Sequence, residues 1–245
     1  MDRRAKSVID FIGEIADCVT EDEVNELAIL IVQMLGGKSF VYTSLLPSKD
    51  PNSDENFRFF IGCDEELCRV YSSRKWIMND PFFEYAKRHS APIIGSKIKT
   101  QTVGQQEMLD FFSDHGFRSG LVVPTHTPSD SKSRMGVLYV GSDEDAQVGE
   151  AKLLSQRILF QSMGMELLLW WNRRLRSIAM RRFSVDEEEL ELLRLFDEGH
   201  SGADIGVLLN IKKHQVYKLS DLLTEKFNVQ KIAEVLVIAK AEGLL

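Results

Sequence analysis

Cysteine is scarce in this chain of 245 residues. Cys18, Cys63 and Cys68 are too few for a disulfide framework, which places the protein in a reducing cytoplasm. No run approaches the roughly 18 apolar residues of a membrane span. At the start, Asp10 and Glu14 interrupt what would have to be the apolar core of a signal peptide. Positive charge is not in excess: 30 Lys and Arg stand against 37 Asp and Glu, a net −7. That balance excludes coating nucleic acid or an anionic membrane by bulk charge, but leaves a local basic patch open. The histidines (His89, His115, His126, His200, His214) are scattered without metal-ligand spacing, and Cys63 and Cys68 read as buried apolar thiols rather than zinc ligands. G-x-S-x-G, P-loop and GxGxxG motifs are absent. Tyr71 and Asp80 could be drawn as an acid/base pair, yet no nucleophile or oxyanion donor accompanies them in sequence. The expectation is a soluble protein that is no enzyme and holds no metal and no resident cofactor.

What is present is a globular composition, 44% hydrophobic and 27% charged, without repeats or low-complexity tracts. The first 36 residues are helical in pattern, with Thr20 and Glu23 forming a capping box for a second helix that Gly36-Gly37 stops. Strand patterns follow in KSFVYTSLL and NFRFFIGC, separated by the turn-forming PSKDPNSDEN. Next come a helix near 64–74, the segment WIMNDPFFEYAKRHSAPII and a helix near 103–115. RSGLVVPTH and RMGVLYVGS, flanking a Pro-Ser-Asp-Ser turn, add two further strands. Strict strand–helix alternation is missing, so the fold class is α+β, with an N-terminal α/β/α sandwich around an antiparallel sheet.

A long helix from about Glu150 to Arg176 carries Leu153, Leu154, Ile158, Phe160, Gln161, Met163, Leu167, Leu168, Trp170 and Trp171. These are too many for one buried stripe; they read as core together with a dimer seam. The stretch WNRRLRSIAMRRF adds Arg173, Arg174, Arg176, Arg181 and Arg182 with no acid. It reads as a basic linker over 171–183, separating a front domain at 1–170 from a back domain at 184–245. In the back domain four helical segments follow closely. Ser184 and Glu187 suggest a capping box, Gly199 ends the first helix, and a third runs from about Lys212 to Lys226 with Val216, Leu219, Leu222 and Leu223 inward. Two short helices joined by a tight turn, the second amphipathic, are the helix-turn-helix pattern.

On these residues the chain resembles a known family. Glu187, Leu192, Gly199, Ile205, Ile211, Val216, Lys226, Val229, Ala233 and the closing Gly243-Leu244-Leu245 resemble the DNA-binding domain of LuxR-type regulators, an all-α four-helix helix-turn-helix domain. More faintly, Tyr71, Asp80-Pro81, Ala91-Pro92-Ile93-Ile94 and HGFRSGLVVP, with Gly116, Gly120 and Pro124, resemble the signal-binding domain of the quorum-sensing branch. The resemblance implies a homodimer that binds promoter DNA and responds to an N-acyl-homoserine lactone. Asp80 would accept from the ligand amide and Tyr71 would donate to its acyl carbonyl.

Three aromatic positions of that family's pocket are altered: its lactone-binding Trp is Leu67, a Tyr is Cys63 and a second Trp is Gly95. An unpaired buried ligand carbonyl would cost about 1–3 kcal/mol. Trp76 offers replacement volume, and Gly120 permits close packing beside the pocket. The expected ligand contacts are therefore Tyr71, Asp80, Trp76, Leu67, Cys63 and Gly120, for a lactone, another small apolar ligand, or none. In the DNA-reading helix, Lys212 stands where the family caps with Ser or Thr, Tyr217 replaces a Lys and Leu219 a His. The expected DNA contacts are Lys212, Lys213, His214, Gln215 and Lys218. Residues 184–245 nevertheless carry seven basic and twelve acidic side chains, net −5. Glu187, Glu188, Glu189 and Glu191 would face solvent or RNA polymerase. That balance supports an alternative: a regulator impaired in DNA binding that antagonises a LuxR-type homologue by pairing with it.

Overall fold

A computed structural model describes residues 6–45, 57–126 and 135–245. The expected turns PSKDPNSDEN and Pro-Ser-Asp-Ser lie outside these residues. The chain divides into two compact units, one running to Trp170 and one from Trp171 to the end.

In the first unit, α1 (Val8–Glu14) starts at Ser7 and α2 (Glu21–Met34) at Thr20, each with a reciprocal capping box, to Asp10 and Glu23 respectively. Gly36, at φ +82°, then turns the chain into the sheet. The strands are β1 (Ser39–Leu45), β2 (Phe57–Gly62), β3 (Ile93–Ile94), β4 (Ser119–His126) and β5 (Met135–Ser142), in the order β2-β1-β5-β4-β3 and antiparallel throughout. The two-residue β3 adds a strand that the sequence pattern did not announce.

Side chains alternate across the pleat. Val41, Val122, Val137 and Tyr139 point to a face packed against α3 (Glu65–Ser73), α4 (Pro81–Ala86) and α5 (Val103–Asp114). Phe40, Leu138 and Val140 point to the other, where α2 packs with α6 (Ala146–Ser155) and the first half of α7 (Arg157–Phe183). The single helix expected from Glu150 to Arg176 is thus two helices, broken at Gln156 (φ −100°, ψ 9°). The break lets both pack on one sheet face. Gly149 and Gly164 allow that approach: a Cβ at Gly164 would stand 2.8 Å from Thr125 Cγ2. Leu153, Phe160, Met163, Leu167, Leu168 and Trp170 are buried, whereas Ile158 is 67% exposed. The Trp170 indole N–H donates to the Cys18 carbonyl at 2.8 Å.

The second unit begins inside α7, so residues 171–183 are helical throughout. The helices α8 (Glu187–Asp197), α9 (Gly202–Leu208), α10 (Lys213–Lys226) and α11 (Ile232–Glu242) follow, around Leu192, Leu193, Ile205, Val216, Leu223 and Val235. Three expectations are corrected by this unit. The capping box of α8 is Asp186 with Glu189 rather than Ser184 with Glu187, because Ser184 sits at φ 52° just beyond α7 and is not yet in line with the next helix. Leu222 is 41% exposed rather than inward. Glu189 does not face solvent: it is buried and clasped by Lys226, whose Nζ lies 2.5 and 2.6 Å from its two carboxylate oxygens. Among the described residues no helix is long and apolar enough to cross a membrane.

Candidate functional site

Between the first sheet face and helices α3 to α5 lies a largely apolar cavity of ≈ 150 Å³. A cavity of that size accepts a small hydrocarbon guest. Val41, Thr43, Val137 and Tyr139 line it from the sheet, Leu67, Cys68, Tyr71 and Ser72 from α3, Asp80, Phe82 and Phe83 from the start of α4, and Phe112 from α5.

Its polar end is built by local rules. Asp64 caps α3, which carries Leu67 and Tyr71 on the turn-to-turn spacing that shares a face. After α3, Lys75 adopts φ 51° and a 3-10 turn spans Trp76–Asn79. Gln105 anchors that turn by donating to the Asn79 backbone carbonyl at 3.0 Å, and the Asn79 side-chain amide donates to Thr102 at 2.9 Å. The turn delivers Asp80 as N-cap of α4, where its Oδ1 accepts from the backbone N–H of Phe82 at 2.7 Å and of Phe83 at 3.2 Å. Pro81 at the first helical position fits the same start. The other carboxylate oxygen accepts from the Tyr71 hydroxyl at 2.7 Å. Burial raises the Asp80 pKa; the Tyr71 and backbone hydrogen bonds oppose that rise. Burial also pushes the Tyr71 phenol well above its ordinary value, and the Asp80 charge adds to this. The pair therefore presents an anchored acceptor and a hydroxyl to an otherwise apolar space.

Of the expected ligand contacts, Tyr71, Asp80 and Leu67 line this cavity together. Trp76 does not. It is buried behind Tyr71, with ring centroids 6.3 Å apart, and packs on Phe111 and Phe112. Gly120 stands behind Tyr139: a Cβ there would fall 2.6 Å from the tyrosine ring, so glycine sets how far that ring enters the cavity. Cys63 packs at the margin, with its sulfur 3.9 Å from that of Cys68. Both thiols are half-buried rather than buried, which corrects the expectation for them. Thr43, Cys68, Ser72, Phe82, Phe83 and Tyr139 were not singled out from the sequence. Strand parity would have found Thr43 and Tyr139, which lie on the same face as Val41 and Val137.

In the second unit, Lys212, Lys213, His214, Gln215 and Lys218 are exposed on or beside α10. Gln215 also stabilises the start of that helix. Its side-chain oxygen accepts from the Lys212 backbone N–H at 2.8 Å, supplying half of a capping box that Lys212, with no acceptor in its side chain, cannot complete. Tyr217 is 50% exposed on the same helix, and Lys213 Nζ lies 5.7 Å from its ring centre. The arginines at the end of α7 are partly neutralised, Arg176 by Glu187 and Arg182 by Glu242, each at 2.9 Å. Among the described residues no group of three or more His, Cys, Asp or Glu is placed to hold a metal ion.

Residues 20–168 match the family described as the autoinducer binding domain. No curated protein matches the chain. Escherichia coli SdiA superposes with a TM-score of 0.59 at 18% identity, over 97% of each chain. SdiA in complex with octanoyl-rac-glycerol gives 0.58 at 18% identity, over 97% of this chain and 94% of that one. CepR2 from Burkholderia cenocepacia, described as an N-acylhomoserine lactone dependent LuxR family factor, gives 0.51 at 14% identity, over 64% of this chain and 88% of that one. At such identities these likenesses show the fold alone.

Proposed function

The chain belongs to the family of LuxR-type regulators that carry an autoinducer-binding domain, and from that premise we propose that it is a dimeric, DNA-binding transcription regulator controlled by an acyl-chain ligand held in the cavity beside Tyr71 and Asp80. A protein of this family works by binding rather than by catalysis. The observation that carries the ligand reading is the Tyr71–Asp80 hydrogen bond, 2.7 Å long, at the polar end of an apolar cavity. Small-molecule sites have this composition, a hydrophobic enclosure with a few placed polar groups.

The ligand's polar head is constrained by what lines the cavity. Leu67 contributes no N–H, so a lactone carbonyl directed at it would go unpaired at about 1–3 kcal/mol. Thr43 and Ser72 bring hydroxyls, which donate and accept. That set suits an acyl chain ending in a small hydroxylated or amide head. The precedent of SdiA with octanoyl-rac-glycerol supports the same reading.

Ligand binding would order the first unit and favour the dimer, which sets two α10 helices one turn of DNA apart. Lys212, Lys213 and Lys218 are the proposed phosphate contacts, with His214 and the amide nitrogen of Gln215 facing base edges. Thermal stability is to be followed against acyl-homoserine lactones of graded length and against octanoyl-glycerol. A shift of several degrees with one of them in the wild type, lost in Asp80→Ala, is expected. No shift from any acyl compound in a folded protein would overturn the ligand reading.

The acidic balance of residues 184–245, net −5, favours one second reading. In it the protein binds promoter DNA poorly and acts by pairing with a LuxR-type homologue. Mobility shift with mixed dimers separates the two, because only the antagonist displaces a competent partner while leaving naked operator unbound.

A further inference from the structure

We propose that Cys63 and Cys68 are a dithiol–disulfide pair, a site of reversible oxidation by hydrogen peroxide built into the cavity wall. The two sulfurs lie 3.9 Å apart, five positions apart in sequence. Cys63 follows the last residue of β2, and Cys68 sits in the second turn of α3, with the cap Asp64 turning the chain between them. Both side chains are half-buried, so each is packed in place and still reached from solvent. A disulfide needs its sulfurs about 2.05 Å apart, so forming it draws the two side chains together.

The two thiols are not equivalent. The thiols share one S–H···S contact; with the Cys63 S–H as its donor, that contact holds the Cys68 pKa down, while the same contact and burial push Cys63 up. Cys68 alone of the two lines the cavity, and with that donor it is the attacking sulfur and Cys63 the resolving one. The Cys68 thiolate attacks one peroxide oxygen, the O–O bond breaks and hydroxide leaves, taking up the thiol's released proton as water. The resulting Cys68 sulfenic acid is attacked by the Cys63 sulfur, and its hydroxyl departs with the Cys63 proton as a second water. Two thiols are oxidised to one disulfide while one peroxide is reduced to two waters.

The cross-link ties the end of β2 to the helix that carries Leu67 and Tyr71, and Cys68 itself lines the cavity. Oxidation therefore changes the wall of the ligand site directly. The cross-link stands whether or not the cavity takes an acyl ligand.

The test uses the reduced full-length chain, exposed to hydrogen peroxide and quenched with iodoacetamide. Trypsin releases both cysteines in one peptide spanning 59–69. That peptide should lose two hydrogens and resist alkylation at both sulfurs, and dithiothreitol should restore it. Cys18, whose pKa burial raises, should react about tenfold more slowly. In Cys63→Ser the sulfenic acid at Cys68 should persist and be trapped by dimedone; in Cys68→Ser oxidation at Cys63 should fall to the Cys18 rate. A wild-type peptide that remains fully alkylatable after Cys18 has reacted overturns the proposal. So does accumulation of Cys68 sulfinic acid without cross-link.

Discussion

The Tyr71 hydroxyl donates to Asp80 at 2.7 Å while the other oxygen of the same carboxylate caps α4 through Phe82 and Phe83. One acid therefore fixes the start of a helix and the orientation of a cavity phenol. Tyr71→Phe should keep the ring packed on Trp76 and Phe112 and lose only the hydrogen bond. A cost of about 1 kcal/mol is expected in urea denaturation. Asp80→Ala should cost about 1–3 kcal/mol, since cap and acceptor go together. The double variant should fall short of the sum, which a mutant cycle reads directly.

Asp80 also predicts a pH dependence. Burial raises its folded pKa above the ordinary 3.8. The folded state then holds the proton at pH values where the unfolded chain has released it, so this group's contribution is full below about pH 4 and is lost as pH rises through the folded pKa. Exposed acids such as Asp10, Glu23 and Asp204, whose pKa values are lowered by hydrogen bonds at helix starts, slope the other way. Subtraction removes them. The stability of wild type minus that of Asp80→Asn should decline with rising pH and then level off; a difference that rises with pH contradicts the burial argument.

Gly120→Ala places a methyl 2.6 Å from the Tyr139 ring and drives that ring toward the cavity. The expected cost is about 1–3 kcal/mol. Ligand-dependent stabilisation should drop further than stability itself, measurable by thermal shift with and without octanoyl-glycerol. Equal losses with and without ligand would place Tyr139 outside the ligand's reach.

Lys226 forms the ion pair with the buried Glu189 and also donates to the Ser184 carbonyl at 2.6 Å. Lys226→Met should destabilise the chain by about 3–5 kcal/mol, because Glu189 is left buried without that cation. Replacing both, with Glu189→Gln added, should recover much of that loss. Denaturation of the second unit followed by circular dichroism checks both variants.

Where DNA is bound, Lys213→Ala should weaken binding to operator and to unrelated DNA alike and lower the salt slope by about 1. A variant that changes sequence preference instead would make Lys213 a base reader.

Much of the fold was legible because its devices are local. Thr20 with Glu23, Gly36 and the alternation through β1 and β5 each follow from a few neighbouring residues. The failures share the opposite property. Ile93–Ile94 is too short for a period to register. Gln156 breaks a helix without glycine or proline, because the sheet face beneath it decides the direction of the chain on either side. Ser184 and Asp186 are both good caps, and only the left-handed turn at Ser184 selects between them. In the site, Tyr71 and Asp80 were readable as residue types at a spacing, but their mutual hydrogen bond was not. Trp76 has the right neighbours in sequence and the wrong side of Tyr71 in space. The approach of Cys63 to Cys68 crosses a strand-to-helix boundary, where neither the period of two nor that of 3.6 applies.

The indole of Trp170 holding the carbonyl of Cys18 sets a timetable for biosynthesis. β1 pairs with β5 rather than only with its neighbour in sequence, and the face beneath both is closed by α7. The first unit thus has no complete interior until the ribosome has passed Trp170, roughly two thirds of the way along the message. At about 5–20 residues per second the nascent chain spends many seconds with an open sheet. In that interval a small apolar molecule or a chaperone finds the unfinished core more accessible than it will be again.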